Sequence, residues 1–253
     1  MVTAAKKIAV VLITGFIIII CSSNKRYPEG NNKTGVVKIS FINTVKARPL
    51  ILDSAEYINP SGEPYRISRL KYYISNIRLN NTMQQFAEPD SYHLLDAADP
   101  NSLSFSVTAP ANSYNSISFI VGVDSIKNVS GAQSGALDPA NGMFWTWSSG
   151  YVMFKLEGNS PASNIISHRI EYHIGGFEGP NSVLKTITLP LQLGINEKTT
   201  SEVTIIADLD KLWQGTSIIS IATTPATMTP GPLSKKIADN YNRMFSVQQA
   251  VNQ

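Results

Sequence analysis

The sequence has little of what catalytic or metal-binding chemistry usually requires. It contains one cysteine and three histidines in 253 residues, which excludes an internal disulfide and a cysteine-based zinc cluster. It has no Gly-x-Ser-x-Gly elbow, no phosphate-binding loop and no His-Glu-x-x-His helix. The formal net charge is only +3 and the basic residues are scattered, which argues against a nucleic-acid surface. We therefore expect neither an enzyme nor a nucleic-acid-binding protein.

Long apolar runs are absent except near the start of the sequence. Lys6 and Lys7 precede one apolar run, which ends at Cys21. This order is typical of a secretory signal, and about 13 apolar residues are fewer than the ~20 that a membrane-spanning helix needs. We expect residues 1–20 to be an export signal and residues 21–34, which contain Asn, Lys, Pro and Gly, to be a flexible tether.

Cys21 lies where a signal peptide would pass its product to lipidation. This position predicts a lipoprotein of the cell envelope, in the periplasm or at the outer membrane, attached to the membrane by lipid or secreted. The residue before it, Ile20, is larger than the small residue that usually precedes a lipidated cysteine, so a buried thiol is the alternative. If Cys21 carries lipid, no free thiol remains for metal binding or catalysis.

From residue 36 onward, apolar and polar residues alternate. Val37, Ile39 and Phe41 share one face of a predicted strand. Further strand-like segments are separated by Gly, Pro and Asn turns: residues 67–79, 92–95, 103–108, 116–123, 143–156, 165–174, 183–191, 201–208 and 217–222. Because helical segments do not alternate with them, we predict an all-β fold, an antiparallel β-sandwich of Greek-key type. One domain is expected over residues 35–253.

A helical pattern occurs only over residues 233–249. Apolar residues recur there at spacings of three and four: Leu233, Ile237, Tyr241, Met244 and Phe245. Such spacing places them on one side of a helix. We therefore predict a short C-terminal helix that docks on the sheets.

The densest aromatic segment is residues 142–151. Trp145 and Trp147 are two apart and share a face if the strand is regular, so they form either a buried stripe or an exposed recognition surface. We predict that both are mostly buried and that replacing either by Ala costs ~3–5 kcal/mol. The preceding loop, residues 125–139, belongs to a connection of about 17 residues, and this unusual length favours a functional or ligand-covering role.

The three histidines are the candidate metal ligands, although a histidine in a strand is more often a half-buried polar residue. They are His93, His168 and His173. His168 and His173 are five apart and would face opposite sides of a regular strand. One metal ion cannot bind both without a bulge, for which Gly175 and Gly176 leave room.

Three strings of residues are distinctive: Ala-Leu-Asp-Pro at residues 136–139, Met-Phe-Trp-Thr-Trp followed by Gly-Tyr within residues 143–151, and Tyr-His-Ile-Gly at residues 172–175. Together they resemble the MbnP-like family of periplasmic or surface proteins, named after a partner protein encoded with the copper chelator methanobactin. The resemblance runs from Val36 to about Val247, which is most of the chain after the signal.

The resemblance implies a β-sandwich that binds copper in some members, through a histidine nitrogen and a tryptophan oxidised to kynurenine. The oxidation is attributed to a diheme enzyme resembling cytochrome c peroxidase. By motif position, His173 would be the matching histidine, and Trp145 or Trp147 the oxidised residue. This sequence departs from the copper-associated branch after residues 122–124, where that branch carries a further histidine. A tight copper site generally uses at least two imidazole or sulfur ligands.

Two non-enzymatic hypotheses follow. The first is a metal-binding or metal-trafficking envelope protein, a client of the diheme enzyme, with His173 as the copper ligand and His168 and His93 as further candidates. The second is a surface adhesion or carbohydrate-binding module without metal, which an exposed flat row of aromatic side chains would favour. If copper binds, we expect His173 to be a ligand and His168 not.

Overall fold

The computed structural model describes residues 33–131, 133–146 and 149–251. Strands account for 50% of the structure and helical turns for 16%, so the all-β prediction is confirmed. The strands are β1 (Thr34–Val45), β2 (Arg48–Pro49), β3 (Tyr57–Ile58), β4 (Pro64–Asn80), β5 (Gln85–Ala87), β6 (Tyr92–Asp96), β7 (Ser104–Pro110), β8 (Ser113–Val121), β9 (Phe144–Thr146), β10 (Gly150–Asn159), β11 (Arg169–Gly175), β12 (Lys185–Gly194), β13 (Thr200–Asp208), β14 (Ala226–Thr227) and β15 (Phe245–Val251). The α-helices are α1 (Ser125–Val129), α2 (Asp210–Trp213) and α3 (Pro232–Ala238).

The strands form two sheets, and the predicted sandwich is confirmed. The smaller sheet has the order β15-β13-β1-β2, with β7 also paired to β1, and the larger has the order β12-β8-β4-β10-β11-β14. Most pairs are antiparallel, but the short β11–β14 pair is parallel, and β1 and β13 run parallel from Val36↔Thr200 to Thr44↔Asp208. A parallel pair needs a long crossover connection. In the sequence, most strands of the large sheet lie between β1 and β13 and make up this connection.

Aromatic side chains from both sheets fill the space between them. Phe41 of β1 and Phe245 of β15 contact Phe119 of β8 edge-on, with ring centroids 5.9 and 5.3 Å apart. Tyr72 of β4 stacks on Phe154 of β10 at 5.7 Å. The alternation predicted for the first strand is observed, since every second residue of its first half is buried. Burial of this apolar surface is the main term that favours folding.

Trp213 is the tryptophan that the core surrounds. It lies in α2, is 1% exposed, and meets Tyr65 and Tyr172 edge-on at centroid distances of 4.9 and 5.7 Å. Edge-to-face pairs of this kind are favourable beyond the area they bury. The sequence pattern did not identify Trp213 as a core residue, because its neighbours come from strands far away along the chain.

The predicted helix over residues 233–249 is wrong in its second half. After α3, one 3-10 turn, Tyr241–Arg243, leads into β15. Most of the apolar residues assigned to the docking face are nevertheless buried, namely Ile237, Tyr241, Met244 and Phe245, and Leu233 is partly buried. The last segment becomes a strand because it pairs with β13, whose edge would otherwise leave backbone groups without partners.

The strand predicted over residues 217–222 is also wrong, because this segment is irregular. The segment is held by the Glu63 carboxylate and not by pairing with a neighbouring strand. It accepts hydrogen bonds from the backbone N–H groups of Ile221 at 2.7 Å and Ala222 at 3.0 Å, and from the Ser220 hydroxyl at 2.7 Å. A buried or half-buried donor needs an acceptor, and here one side chain supplies it.

This carboxylate should make stability depend on pH. Burial raises the pKa of Glu63, but the bonds from this segment and from Asn59 outweigh burial and lower the pKa below its ordinary value of 4.5. A carboxylate with a lower pKa in the folded state stabilises the fold above its unfolded pKa, and this contribution is lost as the pH falls through the folded pKa. We expect Glu63→Gln to cost about 1–3 kcal/mol near pH 7 and less at pH values below the folded pKa.

Thermal unfolding from about pH 7 to about pH 3 measures this effect. Glu178→Gln is the matched control, since Glu178 is exposed. A Glu63→Gln variant whose stability loss is the same at every pH would contradict the prediction.

Several predictions concern residues that the structure does not describe. The export signal (residues 1–20), Cys21, nearly all of the tether and Trp147 lie outside the described residues. Within the described ranges, none of the helices combines the length and the apolar character needed to span a membrane.

Candidate metal site

The face of the large sheet that points away from the small sheet carries a row of polar side chains. Lys155 of β10 lies opposite His173 of β11 and opposite Lys71 of β4. Lys71 in turn lies opposite Asp96 of β6, and its Nζ is 2.9 Å from Asp96 Oδ2. Directly opposed residues share a face of a sheet. Four strands therefore contribute to one continuous row that ends at His173.

His173 is bound by a carboxylate. Its Nε2 lies 2.7 Å from Oε1 of Glu157, while the second carboxylate oxygen accepts a 2.8 Å hydrogen bond from Arg69 Nη1. The His173 side chain is 14% exposed. Burial lowers the pKa of His173, and the hydrogen bond to Glu157 opposes this only in part. The imidazole is therefore mainly neutral near pH 7 and keeps a lone pair that can bind a metal.

Trp145 packs on the same strand as His173. Gly175 follows His173 by two residues and shares its face. A Cβ atom at Gly175 would lie 2.4 Å from Cζ3 and 2.8 Å from Cη2 of Trp145. The six-membered ring of the indole thus lies against the Gly175 backbone, about 7 Å along the strand from His173. Trp145 is partly buried against the core, as an aromatic stripe predicts, and keeps an exposed portion.

The long loop before β9 covers one end of this face. The hydroxyls of Tyr73 and Tyr151 donate to the carbonyls of Ala136 at 3.0 Å and Leu137 at 2.7 Å. The backbone N–H of Tyr151 donates to Asn128 Oδ1 at 2.9 Å. The loop therefore covers the sheet itself with its own buried residues, and the ligand-covering role inferred from its length stays a prediction.

The other two histidines lie elsewhere. His93 of β6 is on the inner side of the large sheet, stacked on Phe105 with centroids 3.6 Å apart, and its Nε2 is 2.9 Å from Glu88 Oε2. His168 is exposed, lies in a 3-10 turn before β11 and has a φ of 53°. Its Nδ1 is 2.9 Å from the carbonyl oxygen of Ser163. The premise that His168 belongs to the strand of His173 is wrong.

These positions keep the three imidazoles apart. His93 and His173 occupy opposite faces of the large sheet, and His168, in the turn before β11, is roughly 15 Å from His173 along the chain. The expectation that one metal ion does not bind both His168 and His173 agrees with this geometry. Over the ranges that the structure describes, no group of three His, Cys, Asp or Glu side chains could hold a metal ion.

His173 is the histidine whose surroundings come closest to a copper site. It offers one imidazole nitrogen, but the adjacent carboxylate of Glu157 is already shared with Arg69. Tight copper binding requires a further nitrogen or sulfur ligand. Oxidation of Trp145 to kynurenine would create one, since kynurenine carries a free aromatic amine and a ketone. The donor set therefore fits copper on the condition that a tryptophan is modified.

Two residues of this site were not identified as functional from the sequence. Glu157 lies one position beyond a predicted strand and belongs to no motif, and Gly175 was considered only as a place for a bulge. The pairing register of β10 and β11 would have placed Glu157 diagonally opposite His173. The irregular connection between the two strands, residues 160–168, leaves that register open in the sequence.

The fold and the site together define a class of protein: a two-sheet β-sandwich whose outer face carries a carboxylate-bound imidazole and a neighbouring tryptophan. The family model of MbnP matches residues 34–229. The chain belongs to the MbnP family, and the resemblance noted in the sequence is confirmed.

A solved structure supports the same fold. MbnP from Methylosinus trichosporium aligns with a TM-score of 0.55 over 87% of this chain and 100% of that chain, at 15% sequence identity. Identity at this level shows a shared fold. A comparison with curated proteins found no match.

The contact between Trp145 and Gly175 predicts the effect of a single methyl group. The added methyl would also lie 2.9 Å from the carbonyl oxygen of Tyr151, so Gly175→Ala should displace the indole and destabilise the protein by about 1–3 kcal/mol, as overpacking usually does. Near-ultraviolet circular dichroism and thermal unfolding measure both effects. Gly231→Ala is the matched control, since a Cβ there meets no atom within 4 Å. Equal near-ultraviolet spectra of the two variants would show that Trp145 does not need the bare backbone.

Proposed function

We propose that this protein is a non-enzymatic copper-binding or copper-trafficking protein of the cell envelope, with His173 as the imidazole ligand. The observation that carries the proposal is the placement of a neutral, carboxylate-bound imidazole beside a partly exposed tryptophan on one face of the large sheet. Copper bound there would supply a redox-active centre. The residues of the chain would bind it, orient the imidazole and limit its access to water.

Trp145 is the residue that we propose to be oxidised, and Trp147, two positions further on, is the alternative. Kynurenine forms when the indole is opened between C2 and C3. Two equivalents of peroxide add two oxygen atoms and release two water molecules, and hydrolysis of the N-formyl product then releases formate. The proposed oxidant is peroxide, used by a diheme partner resembling cytochrome c peroxidase. The exposed portion of Trp145 supports its oxidation by such a partner at the protein surface.

The location that we propose is the periplasm or the outer membrane, with Cys21 as the lipid attachment site. A lipid anchor would keep the protein near a membrane without a spanning helix. Fractionation of cells that express the wild type or Cys21→Ser measures this. We expect the wild type in the membrane fraction and Cys21→Ser outside it; equal distribution of the two would contradict the anchor.

Protein purified from its native host tests the function. We expect copper in stoichiometric amount by elemental analysis. Peptide mass spectrometry should show a tryptophan that has gained one oxygen and lost one carbon. The same chain produced without a diheme partner should be unmodified and bind copper weakly. Native protein that lacks both copper and the modified tryptophan would contradict the proposal.

The second hypothesis, an adhesion or carbohydrate-binding module, finds less support. Such a surface would present a row of exposed aromatic rings. Among the described residues, the exposed large hydrophobic side chains are isoleucine, valine and methionine, without an aromatic ring. The polar row that ends at His173 therefore favours the metal-binding proposal over this second hypothesis.

A further inference from the structure

We infer that Glu157 is a positioning residue, which holds the proton of His173 on Nε2 and leaves Nδ1 as the nitrogen that binds the metal. The inference rests on the proposed copper site and specifies which atom of His173 serves it. It assigns a role to a carboxylate that the family resemblance did not single out.

The hydrogen bond between the two side chains determines where the proton lies. An ionised carboxylate can only accept hydrogen bonds. Because Glu157 Oε1 is 2.7 Å from His173 Nε2, this nitrogen must carry the hydrogen. A neutral imidazole has one N–H, so Nδ1 then holds the lone pair. Nδ1 has no hydrogen-bond partner among the described residues.

The carboxylate itself is fixed from the opposite side. Arg69 of β4 lies directly opposite Glu157 and donates a hydrogen bond to Oε2 at 2.8 Å. His173 of β11 lies diagonally opposite Glu157 and donates to Oε1. Glu157 therefore bridges three strands with both oxygens occupied. Lys155 does not compete for the carboxylate, because its Nζ donates to the carbonyl oxygen of Gly142 at 2.5 Å.

A carboxylate that accepts a hydrogen bond from a histidine ring is a common feature around metal-binding histidines. A histidine that binds a metal through one nitrogen usually donates the N–H of the other to a carboxylate or a carbonyl, which fixes the tautomer and the ring orientation. Loss of such a partner typically lowers metal affinity by about 10–100-fold. The hydrogen bonds from Arg69 to Glu157 and from His173 to Glu157 are present in the structure without a metal.

Long-range proton–nitrogen NMR of the metal-free protein tests the inference without copper. We expect the His173 ring to show a protonated Nε2 and an unprotonated Nδ1. Glu157→Leu should convert this signal to a mixture of tautomers, whereas Glu157→Gln, which keeps an acceptor oxygen, should retain most of the Nε2–H form. Glu171→Gln is the matched control, because Glu171 lies opposite Glu157 on β11 without a bond to His173.

Copper titration of the same variants supplies a second readout. We expect about a 10–100-fold loss of affinity in Glu157→Leu, a smaller loss in Glu157→Gln and none in Glu171→Gln. A wild type with its proton on Nδ1, or a Glu157→Leu variant with an unchanged tautomer, would overturn the inference. A wild type from the native host that has the Nε2–H tautomer but binds no copper would refute the proposed function and leave the role of Glu157 in place.

Discussion

Replacing His173 by Ala should lower the copper affinity of the natively modified protein by more than about 100-fold. The loss of a direct ligand exceeds the 10–100-fold that loss of an outer-shell partner typically causes. His173 lies on the outer face, next to the strand position that Trp145 covers. His168→Ala should bind copper as the wild type does, because His168 is in an exposed turn roughly 15 Å away.

Competition with a chelator of known affinity measures the three proteins. His93→Ala serves as a further comparison, since His93 stacks on Phe105 on the other side of the sheet, where it could affect stability but not the site. Circular dichroism would establish that each variant is folded. Loss of copper from His168→Ala together with its retention by His173→Ala would reverse the assignment.

Trp213→Ala should destabilise the protein by about 3–5 kcal/mol, the range for truncating a buried aromatic side chain. Trp213 is 1% exposed and is enclosed by Tyr65 and Tyr172, so its removal leaves a cavity in the core. Trp145 is partly exposed, so the cost of about 3–5 kcal/mol expected from the sequence is revised downwards, and Trp145→Ala should cost about 1–3 kcal/mol. The order of the two losses distinguishes a core tryptophan from a tryptophan available for modification.

Chemical denaturation of the two variants gives these free energies of unfolding. Trp213→Phe is the matched control, because it retains an aromatic ring and most of the buried volume, and it should lose less than Trp213→Ala. A Trp145→Ala variant that is less stable than Trp213→Ala would mean that the stripe around residue 145 is the principal anchor of the fold.

The sequence predicted the fold where the period of the pattern was strong and local. Alternation identified β1 and most of the other strands, and turn residues marked their ends. The C-terminal segment shows the limit of this approach. The apolar spacing predicted which residues are buried, including Ile237 and Tyr241, but spacings of three and four did not reveal that Phe245–Val251 pairs with β13. Tertiary hydrogen bonding outweighs local propensity in such a segment.

The candidate site was predicted less completely than the fold. His173 and Trp145 were named from motif position, whereas Glu157 and the covering of Gly175 by an indole were not. Both features depend on the register of neighbouring strands, and a shift of one residue would move each side chain to the other face. The separation of His93 from His173 likewise follows from which face each strand presents.

By itself, the sequence determined the kind of protein: a β-sandwich rich in short strands, with one cysteine, three histidines and a paired-tryptophan segment. Those properties depend on composition and on periods of two residues, which are local. Only the tertiary structure decided which residues meet: Glu157 with His173, Trp145 with Gly175, and Glu63 with a segment more than 150 positions away. Such contacts depend on sheet register and on long-range packing, because backbone and side-chain groups must find partners wherever the folded chain supplies them.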